Sequence, residues 1–224
     1  MMRVLLPSLM VALLPVAARG SSSGSLTWSE LSPLPDKVGV AGPYVGTHKG
    51  VLLVAGGANF PDKRPWEGGT KVWYDTAFVL EKPSGVWKVA GRLPRPLGYG
   101  VSLSTKDGVV CVGGSDAERH YADVFVLRWE KGELRTSLLP ALPMPCANFC
   151  GAMLGKTIYV AGGIETPAAT TALKTFWSLD LDMAQPQWQE LEPWPGPARM
   201  LAVAAVQDKA FFLIRQCQTI TEQI

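Results

Sequence analysis

Three Gly-Gly pairs constrain this chain more than any other feature. Each closes a short apolar run: Val51-Leu52-Leu53-Val54-Ala55 before Gly56-Gly57, Val109-Val110-Cys111-Val112 before Gly113-Gly114, and Ile158-Tyr159-Val160-Ala161 before Gly162-Gly163. The pairs stand 57 and 49 residues apart. A Trp followed seven residues later by Pro recurs alongside them, as Trp28 with Pro35, Trp87 with Pro94 and Trp188 with Pro195. The remaining repeat keeps Leu142-Pro143 but has Thr136 in place of the Trp. After each pair comes an apolar triplet: Phe78-Val79-Leu80, Phe125-Val126-Leu127 and Trp177-Ser178-Leu179. A period of roughly 50 residues signals a repeat architecture, and it decides the fold before any local propensity does.

Each unit reads as strand, turn, strand ending in Gly-Gly, loop, strand, turn, and a last strand bearing Trp. Four antiparallel strands of this length make one blade of a β-propeller, so the expected class is all-β, a kelch-type propeller. Full blades are predicted over 38–90, 97–138 and 147–191, and a fourth begins at Arg199 with apolar runs at 201–206 and 211–214. Trp28 to Pro35 reads as an outer strand of a further blade, giving about three and a half blades of an expected six. The paired glycines are expected on inner sheet edges about a shared axis, where a side chain would collide and positive φ is needed. The Trp is expected to fill apolar space between blades, none of which can bury its own faces.

In the second and third repeats the first glycine comes 19 residues after the landmark Pro, but Ile214-Arg215-Gln216 stands at that distance from Pro195. The polar stretch 215–224 matches nothing in the repeat. Propellers close with about four to eight blades, and open sheet edges template association. The expectation is a truncated product, for instance through a shifted reading frame near position 214. Self-association through the open edges is the alternative.

Composition removes whole classes of function. With 224 residues, 47% of them hydrophobic and 18% charged, the chain can bury a core, which excludes intrinsic disorder. A formal charge of +2 gives no electrostatic case for a nucleic-acid partner. Gly (23) and Pro (18) suit short strands and tight turns. Met1-Met2-Arg3, an uncharged apolar stretch Val4 to Val16, and the small residues Val16-Ala17-Ala18 form the tripartite layout of a secretory leader. That stretch is shorter than the roughly 20 residues a spanning helix needs, so no membrane partner is expected once the leader is removed. The expected organisation is a leader over 1–18, a linker over 19–27, the partial propeller over 28–213 and a tail over 214–224, with the protein periplasmic or secreted.

An oxidising compartment makes the four Cys worth checking. Cys146 and Cys150 lie in a segment read as extended, which would put their Cα atoms roughly 13 Å apart, too far for a disulfide. Cys111 sits in an apolar run and reads as core. No pair has zinc-ligand spacing, and no metal site is expected. His48, in Gly46-Thr47-His48-Lys49-Gly50, reads as a solvated turn residue, and His120 as the start of a strand.

These residues resemble the kelch-type sialic acid mutarotases, specifically the cyclically permuted group related to N-acetylneuraminate epimerase. The likeness runs over about residues 28 to 213 and is strongest from Val38 to Leu127. Its distinctive segments are Gly39-Val40-Ala41-Gly42, Val54-Ala55-Gly56-Gly57-Ala58-Asn59-Phe60, the loop Trp66-Glu67-Gly68-Gly69-Thr70-Lys71 with Tyr74-Asp75, and Leu97-Gly98-Tyr99-Gly100-Val101-Ser102-Leu103. The resemblance implies a six-bladed, exported propeller that interconverts the α and β anomers of N-acetylneuraminate by acid/base ring opening, without metal or organic cofactor. Its partner would be sialic acid or a related sugar, whose carboxylate calls for an Arg. The Glu implied as proton acceptor corresponds to no residue of this sequence. No catalytic residue is assigned, and the chain by itself is expected to be inactive.

Candidate binding residues come from two positions. The first glycine pair is 21 residues from its apolar triplet, against 11 and 14 in the other units. The longer loop carries Asp62, Lys63, Arg64, Trp66, Glu67 and Lys71, and extra length of this kind suits a substrate-facing excursion or, equally, a solvated one. Residues just after a glycine pair (Asn59, Ser115, Asp116, Glu165) or after the landmark Pro (Arg95, Arg199) should line one mouth of the channel. From these, Asn59, Arg64, Glu67, Arg95, Asp116, Glu165 and Arg199 are the candidate substrate ligands. Asp116 and Glu165 could equally cap turns, and Arg199 could brace neighbouring blades. Tyr99 points into the channel or packs. The alternative function is a non-catalytic kelch module that binds a glycan or protein through its loops. A copper oxidase on the same fold is disfavoured by two His in turns.

Overall fold

The computed structural model describes residues 27–214, so the expectations for the leader and for the tail beyond Ile214 fall outside the described residues. The first sheet is built from β1 (Tyr44–His48), β2 (Val51–Ala55), β5 (Thr76–Leu80) and β6 (Lys88–Arg92); the two-residue strands β3 (Ala58–Asn59) and β4 (Val72–Trp73) pair within the loop between β2 and β5. The second comprises β7 (Val101–Thr105), β8 (Gly108–Val112), β9 (Val124–Glu130) and β10 (Glu133–Leu139). β11 (Cys150–Leu154), β12 (Thr157–Ala161), β13 (Phe176–Asp180) and β14 (Trp188–Glu190) form the third, and β15 (Val203–Gln207) with β16 (Ala210–Ile214) a two-stranded fourth. Every pairing is antiparallel and follows chain order, as short turns such as Lys49-Gly50 and Gly155 dictate. The strands follow the blades read from the sequence, except that β6 and β10 run past the expected ends, to Arg92 and Leu139.

The first strands of successive sheets lie side by side: β1 against β7, β7 against β11, and β11 against β15. This radial arrangement of first strands is that of a kelch-type β-propeller. The glycine-ending strands β2, β8 and β12 are therefore second in their sheets, not the inner edges. β1, an edge, has its outward backbone groups satisfied by the next sheet: Ser102 Oγ accepts from Val45 N–H and donates to Val45 O, both at 2.9 Å, and Ser104 Oγ accepts from Thr47 N–H.

The glycine pairs have a different cause from channel crowding. The first glycine N–H stays in its own sheet, Gly56 donating to Thr76 O, Gly113 to Asp123 O and Gly162 to Thr175 O. The second donates across to the next sheet's lead-in segment: Gly57 to Leu97 O, Gly114 to Cys146 O and Gly163 to Arg199 O. A Cβ on the first glycine would meet those same carbonyls, at 2.2 Å from Leu97 O, 2.5 Å from Cys146 O and 2.3 Å from Arg199 O. The pair is an inter-blade joint, and a methyl group would block it. The Trp landmark also bonds outside its own sheet, although the Trp28–Pro35 stretch expected as an outer strand forms no strand. Trp87 Nε1 donates to Ser32 O (2.8 Å) and Trp188 Nε1 to Pro140 O (2.9 Å), each acceptor lying three residues before its landmark Pro.

The cores lie between sheets. Tyr44, Leu53, Val79, Val109, Phe125 and Leu127 fill the first interface, and Val101, Val112, Phe149, Ile158, Trp177 and Leu179 the second. At the third, Tyr159, Phe176 and Phe211 cluster with ring centroids 5.3 to 6.0 Å apart. The far face of the fourth sheet leaves Val203, Phe212 and Ile214 exposed.

The joint makes a testable distinction between two left-handed glycines. Gly162 (φ +71°) faces a carbonyl, whereas Gly155 (φ +63°), in a hairpin turn, has nothing near its Cβ direction. Gly155→Ala should cost about 1 kcal/mol of stability in urea unfolding, the backbone strain alone. Gly162→Ala should cost at least about 2 kcal/mol more. Equal losses would contradict the joint.

Candidate functional site

The chain turns into each inner strand through one residue in the left-handed conformation: Gly42 (φ +61°), Tyr99 (+62°), Asn148 (+57°) and Leu201 (+53°). These four are bonded in series. Tyr99 N–H donates to Gly42 O, Asn148 N–H to Tyr99 O, and Leu201 N–H to Asn148 O. In the three units with a glycine pair, this residue precedes the first glycine by 14 positions. Only Gly takes this conformation without penalty, and Tyr and Leu are uncommon there. The series holds Tyr99, Asn148 and Leu201 because each N–H donates to the left-handed residue that leads into the preceding sheet.

Tyr99 and Lys71 form a wall shared by two concavities. On one side lie Val38, Val40, Phe60, Pro65, Asn59 and Arg64; on the other, in a space of about 220 Å³, lie Trp73, Asp116, His120, Asn148 and Pro167. The half-buried Lys71 places its Nζ 4.2 Å from the Tyr99 ring centroid and 5.0 Å from that of Trp73. Among the described residues no carboxylate pairs with Lys71. Beside it, the buried Trp73 indole N–H has no acceptor, an omission worth about 1–3 kcal/mol.

The sequence candidates divide among several places. Asn59 is buried and serves as a tie: its Nδ2 donates to Gly39 O (2.7 Å) and Asp36 Oδ1 (3.3 Å), and its Oδ1 accepts from Tyr74 O–H (2.8 Å). Arg64 lies over the exposed Trp66 ring (5.5 Å) at the rim of the apolar concavity. Glu67 accepts the Arg64 N–H through Oε2 and closes a short 3-10 turn over Pro65–Glu67. Asp116 lines the polar concavity, with Oδ1 accepting from Glu118 and Arg119 N–H and Oδ2 from Tyr121 O–H. Burial would raise its pKa, yet these hydrogen bonds outweigh it and hold the carboxyl below the usual range.

Arg95 and Glu165 line a neighbouring concavity, where Arg95 pairs with Asp123 at 2.6 Å and stacks on Tyr121 at 4.5 Å. Arg199 stands apart, at the apolar groove between the third and fourth sheets, its carbonyl taken by Gly163. Asn59, Arg64 and Asp116 thus border the Lys71–Tyr99 wall, and Glu67, Arg95, Glu165 and Arg199 do not.

Both histidines are buried. His48 is no turn residue but the last residue of β1, on the inward face with Tyr44 and Gly46, and its Nδ1 accepts Trp129 N–H at 3.0 Å. His120 bridges Ser115, and its Nδ1–H donates to Ile164 O at 3.0 Å. Cys111, Cys146 and Cys150 are free and buried, and burial pushes the Cys146 thiol up to about 12 and that of Cys150 to about 11. The 146–150 stretch is broken by the left-handed Asn148 rather than extended, and Cys217 lies outside the described residues. Among the described residues no group of His, Cys, Asp and Glu could hold a metal ion. No helix there is long and apolar enough to cross a membrane.

Comparison with known proteins bears directly on these segments. The profile of the N-acetylneuraminate epimerase family matches residues 16–136, more than half of the chain. The chain belongs to that family. N-acetylneuraminate epimerase of Brucella suis is 36% identical over 123 residues, covering 48% of this chain and 31% of that protein. That of Salmonella enteritidis is 41% identical over 108 residues, covering 42% and 28%. The matched stretch therefore spans less than a third of the curated relatives. The solved structure titled "Structure of YjhT" shares the fold, with a TM-score of 0.72 over 86% of this chain and 63% of that one, at 12% identity. The Lys71–Tyr99 wall falls within the stretch matched by the family profile.

The histidines predict how stability depends on pH. Burial is the leading cause that lowers both pKa values, so the folded chain resists protonation while the unfolded chain accepts it near 6.5. Stability is thus fully present above about pH 6.5 and lost as pH falls toward the depressed folded values. The urea midpoint should drop between pH 7 and pH 5, and His48→Gln should flatten that drop. An unchanged slope in the variant would contradict the buried acceptor role.

Proposed function

We propose that this chain supplies an acidic-sugar-binding wall of a sialic acid mutarotase, in which the α and β anomers of N-acetylneuraminate exchange by acid/base ring opening. We also propose that the 224-residue chain by itself binds without accelerating exchange. One observation carries the reading: an apolar and a polar concavity share a cationic, aromatic wall at the ring of left-handed residues. N-acetylneuraminate has matching parts, an acetamido methyl for Val38, Val40 and Phe60, hydroxyls for Asn148 and Asp116, and a negative charge. Aromatic faces beside a few convergent polar groups are the usual make-up of such sites.

The reaction needs a base to take the anomeric hydroxyl proton and an acid to protonate the ring oxygen as its bond to the anomeric carbon breaks. Reclosure of the open keto form on the other face reverses both transfers. Positioned groups contribute about 10²–10⁴-fold to each such step. Asp116 is a weak base, since its carboxyl is held below the usual range and its oxygens are already engaged. The Glu implied by the family resemblance has no counterpart in this sequence. The leader-like residues 1–18 favour a site of action outside the cytoplasm.

NMR of N-acetylneuraminate with the purified chain tests both parts. Saturation transfer to the acetamido methyl is expected, with anomer exchange at the rate in buffer. Enzyme-level acceleration would overturn the proposed inactivity, and absence of any transfer would overturn the sugar reading.

A further inference from the structure

Among the described residues Lys71 is the half-buried cation of the wall without a carboxylate partner, whereas Arg64 is exposed. Its Nζ lies over the faces of Tyr99 and Trp73, at 4.2 and 5.0 Å from the ring centroids. Two aromatic quadrupoles favour the charged ammonium and leave its N–H donors without an anionic acceptor. Tyr99 is held for this contact by a backbone conformation it would not otherwise choose, φ +62°, fixed by its bond to Gly42 O. Such strain persists only where the surroundings over-determine it, and it gathers at ligand sites. The β3–β4 pairing, Asn59 to Val72 and Ala58 to Trp73, anchors the two residues after Lys71 to the segment that follows the first glycine pair. The candidate arginines are paired, exposed or placed elsewhere: Arg95 is paired with Asp123, Arg64 is exposed at the rim, and Arg199 lies at the groove beside the fourth sheet.

We propose that Lys71, held by Tyr99 and Trp73, is the residue that recognises the carboxylate of an acidic sugar and sets selectivity against neutral sugars. Asp116, the carboxylate in the polar concavity, is occupied by Tyr121 O–H and two backbone N–H groups, so its charge is already partly compensated. The inference rests on the sugar-binding reading and deepens it by naming the carboxylate's partner.

Titration of the full chain with N-acetylneuraminate and with its methyl ester, which lacks the charge, tests it. Wild type should prefer the acid by at least about tenfold, the range of one charge-assisted hydrogen bond. Lys71→Met should abolish that preference while binding the ester as wild type does, and Lys71→Arg should restore most of it. The half-exposed side chain makes no core contact, and an unchanged urea midpoint would show that the variant is folded. If Lys71→Met keeps the full preference for the acid, the assignment is overturned and the sugar reading stands. If wild type binds neither compound, both fall together.

Discussion

The hydrogen bond from the second glycine of each pair to the carbonyl of the following sheet organises this molecule. It works only because the first glycine presents no Cβ to that carbonyl, so two residues with no side chains set the spacing between sheets packed through Tyr44, Phe125, Phe149 and Trp177. Once Leu97, Cys146 and Arg199 are pinned in this way, the residue two positions further on (Tyr99, Asn148, Leu201) must turn through the left-handed region to enter its inner strand. The ring at the mouth is thus a geometric consequence of the joints.

The function follows the same chain of causes. The ring puts Tyr99 where a bulky residue would rarely sit, the small β3–β4 ladder puts Lys71 over it, and the two concavities share that wall. The proposed acidic, acylated sugar would meet a site that offers, among the described residues, a cation without a carboxylate partner between apolar and polar surfaces. Proton transfer calls for groups this wall does not provide in a basic, unengaged form, which is why binding and turnover are separated in the proposal.

Much of the fold was legible because it repeats. Apolar runs before Gly-Gly located β2, β8 and β12, and the Trp landmark located β6 and β14. The role of the glycines was less legible, because the carbonyl that excludes a Cβ lies about forty residues downstream and leaves no local mark. His48 misled for a related reason: Thr47-His48-Lys49-Gly50 looks like a turn, but Lys49 and Gly50 alone take positive φ, leaving His48 in the strand with its ring turned inward. For the site, Tyr99 stood out within its motif and Lys71 only as one charge among several. A list of charged residues cannot distinguish Arg95, neutralised by Asp123, from a lysine held over two aromatic rings. The 14-residue offset from the glycine pairs was the available signal for Asn148.

Amide hydrogen exchange at the joints measures the organising claim most directly. If the glycine bonds and the ring they impose are part of the cooperative core, the N–H groups of Gly57, Gly114, Tyr99 and Asn148 will exchange as slowly as those of β8 and β12. Exchange as fast as at the hairpin glycines Gly132 and Gly155 would show that the sheets are held by apolar packing alone, and the account of the mouth would lose its basis.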